Sequence, residues 1–245
     1  MAIASPPMIS AAGSSPLFRA ARLFFVVMAI LFLVIALFGF VPTYQRLGKR
    51  LFPLHWFAHV HGAMMAGWLV VFLAQSILAA TNRLKFHRQL GQFSVVLGVL
   101  IWISMGIISI VTLKADNPPE NHFLFDVLLV QLYLMALFGL FFTWGVLERK
   151  NAVIHKRLLF LATLILIQAG IDRIGWLPGI RSAFAVRFYY LDALVMLLCI
   201  YDLIMLRRIH KVTAIGALII VIAQVTVVQL WGSPAWHRFW FTLIN

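Results

Sequence analysis

The sequence predicts an all-α, polytopic transmembrane bundle of roughly seven helices, and three observations carry that reading. Of 245 residues, 63% are hydrophobic and 11% charged, with a mean hydropathy of +1.00; a water-soluble chain of this size cannot hide so much apolar surface. The apolar residues fall in runs long enough to cross a hydrocarbon core about 30 Å thick as helices. The runs also lack the period-2 alternation of barrel strands, and lipid offers no partner to an irregular backbone.

The elements follow in order. Residues 1–16, rich in Ala, Ser and Pro, read as a disordered tail, and 17–245 as a single transmembrane domain. Apolar runs lie near 23–41, 57–79, 90–113, 123–146, 158–176, 184–206 and 212–230. Pro42 and Pro53 bracket the first connection, Pro118-Pro119 break the third, and Pro178-Gly179 break the fifth. The first run exceeds the core of a signal peptide and no cleavage pattern follows it, so it is expected to be retained. The closing segment from Trp231 to Trp240 reads as an aromatic belt at the interface. No internal repeat is present, and the single Cys199 excludes an intramolecular disulfide.

The short loops set the orientation. Arg83, Lys85 and Arg88, then Arg149, Lys150, Lys156 and Arg157, then Arg207, Arg208 and Lys211 all fall on the side of the amino terminus. The positive-inside bias therefore places the amino terminus in the cytoplasm and the carboxyl terminus outside. A net charge of +13 suits basic loops against anionic headgroups and calls for no nucleic acid.

Four histidines, His61, His87, His122 and His155, each open a different apolar run. A 20-residue span carries the chain some 30 Å, so helix parity decides which can meet. His61 and His122 start on the outer side, while His87 and His155 start on the inner side. Two imidazoles from facing helices, one on each side of a flat macrocycle, is the arrangement that holds bis-histidine haem iron.

This pattern resembles the two-haem transmembrane b-type cytochromes, which move electrons from ascorbate or quinol. His61-Gly62-Ala63-Met64-Met65 with Trp68 is similar to the opening of that family's first ligand helix. Phe86-His87-Arg88-Gln89-Leu90-Gly91 and His155-Lys156-Arg157-Leu158 are similar to its His-Arg-x-Leu helix starts. The resemblance covers the middle half of the chain and implies a cofactor core over 57–176. It implies haem b as cofactor, with inner ligands His87 and His155 and outer ligands His61 and His122. Arg88, Lys156 and Arg173 then serve as propionate or headgroup partners, and a quinol or other redox protein is the electron partner. The whole chain also resembles a broad group of bacterial multi-pass membrane proteins carrying the same His-Arg-x-Leu-Gly and His-Lys-Arg-Leu words, which points to a bacterial inner membrane.

Each histidine has a second reading, because imidazoles beside Lys or Arg suit the headgroup zone without any ligand. His55 and His59 share a helix face at i, i+4, a spacing compatible with a divalent metal; the alternative is interfacial histidines beside Trp56. Asp126, Asp192 and Asp202 fall within apolar runs, where a carboxylate costs about 2.5–3.5 kcal/mol at the bilayer centre and needs a partner or a use. Asp126 lies one turn from His122 and is expected to orient it. Asp192 is expected either to face Arg173 or Arg187 or to serve proton transfer or quinol binding, and Asp202 to face Arg207 or Arg208. Asp172 and Arg173 are expected to pair with other helices. Gln75, Gln131, Gln168, Gln224 and Gln229 read as interhelical hydrogen-bond donors.

Two functional readings result. The first is a haem-binding electron-transfer protein, an oxidoreductase if it is an enzyme. The second is a cofactor-free transporter or membrane scaffold built on a buried network of Asp126, Asp192 and Arg173. The chain has no Gly-rich phosphate loop, no Cys pair for zinc or iron–sulfur, and no nucleophile elbow.

Overall fold

A computed structural model describes residues 16–47, 56–115 and 122–244. Among the described residues the chain forms eight helices and no strand: α1 Pro16–Leu47, α2 Trp56–Ala80, α3 Leu84–Ala115, α4 His122–Leu147, α5 Ala152–Ile171, α6 Val186–Leu206, α7 Lys211–Leu230 and α8 Pro234–Ile244. The first seven are long and apolar enough to cross a membrane. The tail read at 1–16 lies outside the described residues except for Pro16, which opens α1.

Large apolar side chains such as Phe93, Leu147, Trp176 and Tyr189 lie on the outside at 65–73% exposure. In water that would be an aggregation surface, whereas in lipid it is the solvated face. The chain is an integral membrane protein.

Helix neighbours fix the topology. In chain order α1 packs on α2, α2 on α3, α3 on α4 and α4 on α5, and α5 returns to α1. α6 lies against α5, α1 and α7, and α7 also meets α4 and α5. α5 is thus surrounded, and nearly all of it from Arg157 to Ile171 is buried. Its crossing with α1 is close because Gly39 sits directly on the backbone of Gly170. Small residues let two helix backbones approach where lipid supplies no hydrophobic push.

Several boundaries differ from the sequence reading by five to seven residues, α1 starting at Pro16, α3 at Leu84 and α5 ending at Ile171, and two further differences have a local cause. Pro42 does not end the first helix: α1 continues through it to Leu47. The missing proline N–H leaves only one carbonyl unpaired, and the Thr43 hydroxyl makes a local bond to Gly39 O at 2.8 Å. α5 begins at Ala152 rather than 158, which brings His155, Lys156 and Arg157 into its first two turns. The cause is Asn151, whose side chain accepts from Val153 N at 3.2 Å and Ile154 N at 3.3 Å as an N-cap.

α7 is capped by His210, whose Nδ1 accepts from Val212 N at 3.2 Å. An accepting Nδ1 carries no proton. Burial, reinforced by the Arg157 guanidinium, accordingly holds the His210 imidazole below its ordinary range. The folded pKa is below the unfolded one, so this stabilisation is present above the unfolded value of 6.5 and is lost as pH falls through the folded one. His210→Ser keeps an N-cap oxygen that does not titrate. Thermal unfolding between roughly pH 7 and 5 should fall less steeply for it than for the native chain.

Candidate functional site

Helix parity gives the bundle two ends: a near end where α1, α3, α5 and α7 begin, and a far end where they finish. At the near end, α3 and α5 each carry a histidine in the first turn, and these two come together. The rings of His87 and His155 have centroids 6.5 Å apart and planes at 88°. His87 Nδ1 bonds to Gln75 O on α2 at 3.3 Å, and His155 Nδ1 bonds to Gly145 O on α4 at 2.7 Å. A carbonyl only accepts, so both Nδ1 atoms carry the proton and both Nε2 atoms present a lone pair. A backbone carbonyl on the second nitrogen is the usual support for a metal-ligating imidazole.

Both rings line a cavity of about 510 Å³ inside the ring of α1 to α5, closed on one side by α6. Its deep wall is aromatic, with Phe25, Trp68, Phe72 and Phe142. Trp68 is held there by its indole N–H, which donates to the Thr163 hydroxyl at 3.1 Å. Gly91, one turn from His87 on the same face of α3, also lines the cavity, where a side chain would intrude. Arg22 and Lys156 are the charged lining residues, and the lining holds no carboxylate. Lys156 Nζ donates to the buried Tyr201 hydroxyl at 2.9 Å and lies 5.0 Å from the Phe25 ring centre. Gln75 places its Nε2 on Ser94 at 3.3 Å, and its buried Oε1 has no partner among the described residues.

The cations of the near end divide. Arg88 is exposed and does not line the cavity. Arg157, expected at the headgroups, is 1% exposed and bonded to Asp202, itself 0% exposed. Asp202 therefore meets neither Arg207 nor Arg208; it also accepts from Thr213 Oγ1 at 2.6 Å and His210 N at 3.0 Å. Arg207 takes a left-handed conformation at the end of α6 and is exposed, which turns it away.

At the far end, His61 Nδ1 lies 2.9 Å from Ser104 Oγ, whose own proton goes to Ile101 O at 2.7 Å. His61 therefore donates and keeps a free Nε2 lone pair. The side chain of His122 lies outside the described residues, and so does His55. His59 bonds through Nδ1 to the Tyr44 hydroxyl at 3.0 Å. No group of three potential metal ligands occurs among the described residues.

The remaining acids have separate partners. Asp126 Oδ1 accepts from Gly232 N at 2.8 Å and His237 Nε2 at 3.0 Å, which ties α4 to the segment leading into α8. Asp192 Oδ1 accepts from Gln224 Nε2 at 3.0 Å, not from Arg173 or Arg187. Asp172 accepts from Gln168 within its own helix at 2.7 Å, and the Arg187 guanidinium of α6 acts on it from the neighbouring helix. Burial pushes its carboxyl above the ordinary range, and Gln168, Arg187 and Arg173 pull it back. Arg173 lies 4.7 Å from the Phe40 ring centre and donates to Ala169 O at 2.5 Å. Together with Arg181 it lines an open far-end pocket against Phe38 and Trp176.

Sequence reasoning missed Arg22, Gln75, Gly91 and Tyr201. Gly91 alone left a local signal, at one helical turn from His87. Comparison of the chain with protein families, with curated proteins and with solved structures finds no match.

Proposed function

We propose that this membrane protein holds one b-type haem between His87 and His155 and transfers electrons through it. The observation that carries the reading is the histidine pair itself, with both Nδ1 protons spent on carbonyls and both rings facing one cavity. His87 and His155 would hold the group between them, their ring centres lying 6.5 Å apart across the cavity.

The lining supports the same ligand class. Aromatic and aliphatic walls suit a flat apolar macrocycle, Gly91 leaves room for its close approach, and Arg22 with Lys156 suit its two carboxylates. Haem supplies a one-electron couple when bound, the aromatic lining keeps water from it, and the backbone carbonyls of Gln75 and Gly145 fix the two imidazoles. Arg22 takes the place that the sequence reading gave to Arg88. The proposal is confined to this near-end haem, because the side chain of His122, the expected partner of His61, lies outside the described residues. Electron donor and acceptor belong to the same proposal: a membrane-soluble quinol or a redox protein reaching the near end.

The test is a dithionite-reduced minus oxidised visible spectrum of protein expressed with ample haem. Sharp reduced α and Soret bands that disappear in both His87→Ala and His155→Ala are expected, while His61→Ala retains them. A featureless spectrum from folded native protein, or bands that survive both near-end substitutions, would sink the proposal.

A further inference from the structure

The far half of the bundle contains a second polar site that the haem reading leaves unused. Five buried polar side-chain atoms lack a partner among the described residues, and three belong to this one region: Tyr133 Oη, Gln168 Oε1 and Arg187 Nε. Gln168 is 0% and Tyr133 6% exposed. A buried group without a partner costs about 1–3 kcal/mol, so three in one place require an explanation.

The cluster is continuous across four helices. Gln168 on α5 donates to Asp172 at 2.7 Å and approaches Arg187 O at 3.4 Å. The Arg187 guanidinium acts on Asp172. Gln224 on α7 donates to Asp192 on α6 at 3.0 Å. The Tyr133 hydroxyl on α4 sits beside Gln224 without meeting hydrogen-bond geometry, and both Asp192 and Asp172 act on it electrostatically.

The unsatisfied set decides the ligand. Gln168 Oε1 accepts, Arg187 Nε donates and Tyr133 Oη does either. A metal cation is disfavoured by the guanidinium, and an anion by the two carboxylates and the amide oxygen. Water both donates and accepts, and buried waters typically make about three such bonds. We propose that α4 to α7 enclose a hydrated site through which Asp172, at the membrane boundary, and Asp192, within the bundle, exchange a proton.

The step is a proton relay without electron transfer. A proton from solution forms an O–H bond on one carboxylate, and water O–H bonds then break and form in turn until it rests on the other. The charged groups around the site are Asp172 and Arg173 at the end of α5 and Arg187 at the start of α6. α7 contributes the neutral Gln224 and α4 the neutral Tyr133. Asp126, further along α4, and His237 from α8 are engaged with each other.

The test is infrared difference spectroscopy of the full chain in lipid nanodiscs across a pH step, which reads protonated carboxyl groups directly and does not depend on what fills the near-end cavity. A carboxylic C=O band is expected that shifts in D₂O as fast as the buffer can be changed. Its Asp192 component should be absent in Asp192→Asn, moved in Asp192→Glu and retained in Asp126→Asn, and its Asp172 component should be absent in Asp172→Asn. Tyr133→Phe should slow its deuterium shift. Absence of a titrating band in the native chain, a difference spectrum unchanged in Asp192→Asn, or exchange only on the timescale of global unfolding would each overturn the proposal.

Discussion

Asp202→Asn is expected to lower the unfolding free energy by about 3–5 kcal/mol, because it leaves the Arg157 guanidinium buried and uncompensated. Arg157 and Asp202 are 1% and 0% exposed, so water cannot take over the lost partner. The same carboxylate holds Thr213 and the backbone of His210, so the change loosens the joint between α5, α6 and the start of α7 as well. The expected penalty comes from the stranded charge rather than from the intrinsic worth of the pair. The double variant Arg157→Met with Asp202→Asn removes both charges and should recover most of the loss. Thermal unfolding of the native chain, Arg157→Met, Asp202→Asn and the double variant in nanodiscs completes the cycle. A single-variant loss below about 1 kcal/mol would mean that the pair is hydrated in the membrane.

The second large effect concerns a single methyl group. Gly39→Ala should separate α1 from α5, because a Cβ at Gly39 falls within contact distance of the carbonyl oxygen, carbonyl carbon and Cα of Gly170. Backbone cannot rotate aside as a side-chain tip can, so the helices must move, at about 1–3 kcal/mol or more. The opposite substitution is a built-in control. A Cβ at Gly170 meets Ala36 Cα at 3.5 Å and Ile35 O at 3.5 Å, ordinary contacts. Gly170→Ala is expected to stay close to native stability, and equal losses in the two variants would show that this crossing is looser than described. Because α1 and α5 both wall the near-end cavity, Gly39→Ala should also weaken whatever that cavity retains.

The all-α class and the seven spans were legible because lipid forces long apolar runs into helices, and no tertiary fact changes that. The meeting of His87 with His155 was legible as well, since parity puts both at one end and a span of helix cannot be shortened. What sequence could not give was azimuth. Arg157 and Lys156 are neighbours, yet Lys156 turns into the cavity and Arg157 toward α6, and only the position of Asp202, 45 residues away, separates their fates. Sequence proximity misled in the same manner at Asp192, where two arginines near the interface looked like partners and the amide of Gln224 on α7 was the actual one. Asp126 shows a longer reach still, to Gly232 and His237, 106 and 111 residues on. Tyr133, Gln168 and Arg187 carry no local sign of belonging together, because their common feature is one buried polar atom each without a partner among the described residues, and that is visible only in three dimensions.

The central place of α5 bears on how the chain is made. α1 to α4 follow one another as neighbours in an arc, and α5, translated after them, closes that arc by meeting α1 again. α5 then arrives carrying Arg157, whose partner Asp202 has not yet been translated. Assembly is therefore vectorial: the axis of the bundle is laid late, and α6 must follow at once to neutralise it. A translational pause placed between α5 and α6 would expose this interval to membrane quality control, whereas the same pause after α2 would leave no charged helix waiting.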